Sequence, residues 1–210
     1  GAILMVALGT WDDLYDMRPM AKLAGQIAIA ALTWAMGFRV GAIELPFELL
    51  LTSAAPVSFL VTVGWIVIVS NAFNLIDGID GLTAGVSVIT ALTVFLLANQ
   101  NGATVPVIAA LALSGALAGF LRFNLPPARI FLGDAGALSI GYVTAVLAMA
   151  SYQKSPAAVA LIVPLLVLGL PLLDPILAVL RRGLSHLRRR GAEGLRPGEM
   201  LHAVTLADRG

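Results

Sequence analysis

Val57–Leu82 reads VSFLVTVGWIVIVSNAFNLIDGIDGL: an uncharged apolar run to Ser70, then a segment in which Asn71, Asn74, Asp77 and Asp80 recur at every third position. A run with no alternation of apolar and polar residues marks a buried or membrane-spanning helix, not a half-exposed strand. Apolar blocks of this kind lie at about Ala21–Gly37, Val57–Ser70, Gly81–Ala98, Val105–Leu121, Asp134–Ser151 and Ala157–Leu180. Gly1–Gly9 adds a shorter one, under half of the roughly 20 residues that span a bilayer. The 210 residues are 59% apolar and 12% charged, against about 45–50% and 25% in a soluble domain, so a water-soluble globule is excluded. The long blocks between 21 Gly and 11 Pro exclude a disordered chain as well. Because a membrane is crossed only by helices or closed barrels, the fold class is all-α. The expectation is a polytopic helical membrane protein with about six full spans and a partial first one, a single domain over 1–210 with a basic tail at 181–210. Gly1–Gly9 has neither the basic start nor the cleavage site of a signal peptide, so it is read as the end of a cut helix whose upstream partners are missing. With no cysteine, disulfides, thiolate metal sites and cysteine nucleophiles are all removed.

Counting connections alternately from Thr10 puts Arg18, Lys22, Arg122, Arg129, Arg181, Arg182, Arg188, Arg189, Arg190, Arg196 and Arg209 on one side, and only Arg39 and Lys154 on the other. Such a bias marks the first side as cytoplasmic, on a multi-pass protein of the inner (plasma) membrane. Every Asp follows the basic residues: Asp12, Asp13, Asp16, Asp77, Asp80, Asp134, Asp174 and Asp208, while Glu44 and Glu48 fall opposite. Nothing in the positive-inside rule draws acids to that side. Carboxylates held near a membrane call for a charged partner, which Mg²⁺ and phosphate chemistry would supply. The net charge of +1 gives no basis for a nucleic-acid partner.

Three segments carry the chemistry. In Gly9-Thr10-Trp11-Asp12-Asp13 two adjacent carboxylates repel unless a cation lies near, although a solvated acid pair would read the same way. Lys22, at the base of the next span, reaches a phosphate or snorkels. The three-residue recurrence of Asn71, Asn74, Asp77 and Asp80 would stack oxygen ligands along one face of a helical end, an arrangement suited to a hard cation such as Mg²⁺. Gly78 and Gly81 would let the backbone turn or approach a ligand closely. In Phe120–Gly136 the prolines break one helix and Gly133-Asp134 opens the next, where Asp134 reads either as an N-cap or as a ligand. The free N–H groups of that helix start form an anion site, with Arg122 and Arg129 close by.

Asp12-Asp13, Asn71–Leu82, Pro127–Gly136 and Leu170-Pro171 through Asp174 to Arg182 resemble, in order and over nearly the whole chain, the polyprenyl-phosphate N-acetylhexosamine-1-phosphate transferase family. Within it, Asp16 and Ile76 make the sequence more similar to the undecaprenyl-phosphate GlcNAc-1-phosphate transferase branch. The phospho-N-acetylmuramoyl-pentapeptide transferase branch usually has Lys and Thr at those positions. The resemblance implies a Mg²⁺-dependent reaction, with Mn²⁺ as a substitute, in which a sugar-1-phosphate passes from a UDP-N-acetylhexosamine to undecaprenyl or another polyprenyl phosphate at the cytoplasmic face and UMP is released. It implies Asp134 as metal ligand and Asp12 and Asp13 as the groups handling the lipid phosphate. Asn71, Asn74, Asp77 and Asp80 would line the nucleotide-sugar site, and Lys22 and Arg129 would meet phosphate. The family's Gly-Asp-x-Gly-Ser ends here in Ala137, and of its His-x-His-His element one imidazole, His202, remains as a donor-binding candidate. The bilayer is a partner throughout, and a homodimer is left open. The rival class is a non-catalytic membrane protein, a transporter or a degenerate relative; a transporter would hold its ionisable groups near the midplane, whereas these gather at one face.

Overall fold

The structure, a computed structural model, describes residues 1–39 and 55–151. They form six helices: α1 (Ala2–Tyr15), α2 (Pro19–Ala35), α3 (Ala55–Ile76), α4 (Leu82–Gln100), α5 (Thr104–Asn124) and α6 (Gly133–Ser151), with no strand among the described residues. By length and composition α3, α4, α5 and α6 can each cross a membrane. α2, with 17 residues, is about 26 Å long at 1.5 Å per residue, a little short of the roughly 30 Å hydrocarbon core. The segment expected as a partial first span is a 14-residue helix that carries Asp12 and Asp13 on its last turns. Five of the six expected blocks are therefore helices; the sixth, at 157–180, lies outside the described residues, as do Asp174, the basic tail at 181–210 and His202.

α6 is the central element, packed most extensively on α1 and α3, while α4 and α5 pair with each other. Small residues permit the closest crossings. A Cβ on Gly9 would stand 2.4 Å from the Ala135 Cα, and one on Gly141 would stand 2.7 Å from the Ser70 Cα. Within lipid, where apolar side chains gain little by leaving their surroundings, such backbone approach is what van der Waals packing has to work with. The Trp65 indole donates to the Ala145 carbonyl at 3.2 Å, and the Thr33 and Tyr142 hydroxyls meet at 2.7 Å, so polar atoms inside the bundle join α2 and α3 to α6. Large apolar side chains such as Leu60, Ile68, Ile89, Leu96, Ile108 and Leu111 remain exposed on its outside, the surface a bilayer would cover.

One expectation needs correcting. α3 continues past Ser70 to Ile76 and so includes Asn71 and Asn74, but the helix stops there. Asp77 and Asp80 fall in the turn to α4, so the four polar residues do not share one helical face. Gly81 opens α4 in the left-handed region at φ 77°, which a residue with a Cβ adopts poorly. Alternation, by contrast, holds wherever the structure describes it. The end of α1 and the starts of α2 and α6 gather with the end of α3, through contacts among Asp12, Lys22, Asn74 and Asp134. The turns α3–α4 and α5–α6 meet through Gly81 and Asn124. At the far end Asn101 donates to the Ser151 carbonyl, and the Arg39 guanidinium stands 4.5 Å over the Trp34 ring.

A candidate active site at one end of the bundle

Four helices each bring one polar side chain to a common point. Lys22, on the first turn of α2, directs its ammonium at Asp12 Oδ2 (2.8 Å), at Asn74 Oδ1 (3.2 Å) and at the Asp134 carboxylate. Asn74 closes the ring by donating through Nδ2 to Asp134 Oδ1 at 2.6 Å. Asp12 also accepts the Met17 backbone N–H at 2.8 Å, so the α1–α2 connection folds back onto the carboxylate it supplies. Lys22 and Asp12 are largely shielded, their side chains 15% and 11% exposed, which strengthens each contact relative to the same pair in open water. A cavity of about 320 Å³ opens beside this cluster, lined by Asp12, Lys22, Gln26 and Asn71 with Met17 and Leu23 among others.

Asp13 does something different from its neighbour. Its two oxygens accept the backbone N–H groups of Asp134 (2.9 Å) and Ala135 (3.1 Å), the unpaired donors at the start of α6. The expected anion site there is thus filled by the chain's own carboxylate. Asp134 is not the cap of its own helix: it sits in the first turn with its side chain turned to Lys22 and Asn74. Gly133, at φ 62°, has no Cβ to crowd Asp13, whose Oδ2 would lie 2.9 Å from one.

Asp80 likewise takes a backbone partner, the Ala128 N–H at 2.9 Å, and Asn124 joins it in tying the two turns together. Asn124 is buried, accepts from Gly81 N at 3.1 Å and donates to the Ile130 carbonyl at 2.9 Å. Asp77 lies half-buried in the same turn. Burial raises its pKa above the ordinary carboxylate value, the Thr83 hydroxyl opposes this, and the charges of Asp134 and Asp13 add to the rise. Arg129 lies apart from the lysine cluster: with Arg122, Phe123 and Pro126 it lines a separate cavity of about 400 Å³. Asn71 faces α2, where its amide pairs with that of Gln26.

The structure therefore brings Asp12, Lys22, Asn74 and Asp134 together, sets Asp13 and Asn71 beside them, and leaves Asp80 tied to the α5–α6 turn and Arg129 at a separate cavity. Sequence reasoning missed Gln26 and Asn124. For Gln26 the signal was present, an amide inside an apolar run four residues after Lys22 and so on the same helical face. Asn124 gave none, because an Asn beside two prolines reads as an ordinary helix stop. No cluster of three or more acidic, histidine or cysteine side chains stands ready to hold a metal among the described residues. The lysine cluster offers instead two carboxylates and one amide oxygen already gathered on a cation, the Lys22 ammonium.

An all-helical, multi-pass membrane protein with carboxylates, amides and a lysine converging at one end of its bundle is the class that fold and site define. A family model described as Glycosyl transferase family 4 matches residues 1–152, and the chain belongs to that family. It is 34% identical over 185 residues to a protein of Bacillus subtilis (strain 168) named probable undecaprenyl-phosphate N-acetylglucosaminyl 1-phosphate transferase, covering 88% of this chain and 52% of the relative. It is 33% identical over 225 residues to the decaprenyl-phosphate N-acetylglucosaminephosphotransferase of Mycobacterium tuberculosis (strain ATCC 25618 / H37Rv), covering 95% of this chain and 53% of the relative. A phospho-N-acetylmuramoyl-pentapeptide-transferase of Lactobacillus johnsonii (strain CNCM I-12250 / La1 / NCC 533) is 43% identical over 130 residues, 60% of this chain and 40% of the relative. The chain spans about half the length of these relatives.

Proposed function

We propose that this chain forms the core of an enzyme that transfers an N-acetylhexosamine-1-phosphate, GlcNAc-1-phosphate foremost, from a UDP-sugar to a membrane polyprenyl phosphate in cell-envelope polysaccharide synthesis. The observation that carries the reading is Lys22 held by Asp12, Asn74 and Asp134 at the end of an apolar bundle. A cation and hard oxygen donors stand there beside the surface on which a lipid phosphate would lie. In the reaction an oxygen of the lipid phosphate attacks the phosphorus bonded to the sugar. The bridging P–O bond to the nucleotide breaks, and UMP leaves with the bridging oxygen. A phosphate monoester has its second pKa near about 6, so the acceptor is largely dianionic at neutral pH and needs no base to attack. Lys22 would neutralise charge on the transferring phosphoryl group, while Asp77 in the neighbouring turn would face the donor.

The donor set also suits Mg²⁺, which takes one or two carboxylates from a protein and the rest of its shell from water and phosphates. Asp134, with Asp12, would hold it, and it would supply the charge neutralisation that lets two anionic substrates meet. The cytoplasmic face and the UDP-GlcNAc donor are part of the proposal. What supports this donor is coverage: relatives named for N-acetylglucosamine align over 87–95% of this chain, and those named for the pentapeptide over 60–72%.

The test is UMP release and lipid-linked product from UDP-GlcNAc and from UDP-MurNAc-pentapeptide, in membranes carrying the full-length protein. Product is expected from UDP-GlcNAc alone. Lys22→Met and Asp134→Asn should each lower the rate by about 100-fold or more, the scale seen when a charge-stabilising group is removed. Unchanged rates in either variant would remove the cluster from the chemistry.

A further inference from the structure

α2 and α3 run antiparallel and meet in two successive polar rungs. The first is Lys22 against Asn74. The second, one turn deeper along the span, is Gln26 against Asn71: the Gln26 Nε2 donates to Asn71 Oδ1 at 3.3 Å, and the Asn71 Nδ2 donates back to Gln26 Oε1. Gln26 is 0% exposed. The Asn71 Nδ2 also donates to the Val67 carbonyl at 2.8 Å, which fixes the orientation of that amide on the backbone of α3.

Apolar contacts between helices are non-directional and tolerate rotation, whereas a reciprocal amide pair is satisfied in one register only. Turning α2 by a single residue, about 100°, would break both amide contacts and take the buried Gln26 amide away from its partner, while Asn71 would keep its bond to the Val67 carbonyl. We infer that Gln26 is a positioning residue: its pairing with Asn71 sets the rotation of α2 that delivers the Lys22 ammonium to Asn74, Asp12 and Asp134. The functional half of this inference rests on the role proposed above for Lys22; the structural half does not.

Within these 210 residues the lysines are Lys22 and Lys154, in separate segments, so peptide mapping reads Lys22 by itself. The experiment uses the full-length protein in detergent or nanodiscs and follows acylation of Lys22 by acetic anhydride through peptide mass mapping, beside steady-state transfer from UDP-GlcNAc. Gln26→Leu is expected to raise the Lys22 acylation rate about fivefold or more. It should lower kcat about 10-fold with the donor KM within about twofold, because small misplacements of a group acting in the transition state fall on kcat. Asn71→Leu should do the same, and the double Leu variant should be no worse than either alone. The exchange Gln26→Asn with Asn71→Gln restores an amide pair of equal total length and should recover both readouts. If Gln26→Leu fails to insert, Gln26→Met takes its place.

Unchanged Lys22 acylation in the single variants, or losses that multiply in the double, would overturn the inference. Raised acylation in a protein whose parent transfers nothing would uphold the positioning of Lys22 and sink the proposed reaction instead.

Discussion

Asp77 and Asp134 carry the same functional group into different surroundings, and the difference has measurable consequences. Asp134 finds an ammonium and an amide N–H. Asp77 finds partial burial and two nearby negative charges, so its ionised form is disfavoured in the folded protein. For an acid whose folded pKa is raised, the stabilising contribution is fully present below its unfolded pKa and is lost as pH rises through the folded value. Asp77→Asn should therefore melt at a higher temperature than the parent at pH 7, with the gap closing as pH is lowered toward about 4, while transfer activity falls. A thermal melt in detergent across that range checks it, and a lower melting temperature at pH 7 would contradict the burial argument. From the sequence, Asp77 and Asp80 look alike, both followed by glycine. Only the fold gives Asp80 a backbone partner at Ala128, because that partner comes from a turn remote in the chain.

At the scale of elements, the start of α6 depends on a side chain from α1. An N-cap usually belongs to the residue just before its helix, and Asp134 was a reasonable candidate by that rule. Instead Asp13 provides the oxygens, and Gly9, one turn earlier on α1, allows the two backbones to approach closely enough for it to reach. Asp13→Ala should destabilise the protein by about 1 kcal/mol, within the 0.5–2 kcal/mol range of lost caps, and Asp13→Asn by clearly less, since an amide oxygen still accepts. Denaturant or thermal unfolding of the two variants side by side would show the order, and equal losses would argue against capping. Apolar blocks such as 105–121 announced their helices because composition alone decides them. The cross-helix roles of Asp13 and Gln26 were not legible, since a one-dimensional pattern says which residues are polar but not which helix receives them.

For the whole molecule, alternation of the chain is the property on which the site depends, because the ends of α1 and α3 must reach the same level as the starts of α2 and α6. These 210 residues hold no cysteine, so in the full-length protein with any cysteine elsewhere replaced by serine, each introduced thiol reports alone. Leu125→Cys, in the exposed α5–α6 turn, and Gln100→Cys, at the exposed end of α4, lie at opposite ends of the bundle. An impermeant thiol reagent should modify Gln100→Cys in intact cells and Leu125→Cys only after the cells are opened; the reverse would invert the orientation. The same alternation has a consequence in time. Lys22 and Asp134 are 112 residues apart, and at about 5–20 residues per second their synthesis is separated by roughly 6 to 22 seconds. Through that interval the nascent chain already holds Lys22 and Asp12 while the helix that completes their ring is not yet made, so among the described helices the site is one of the last parts to come into being.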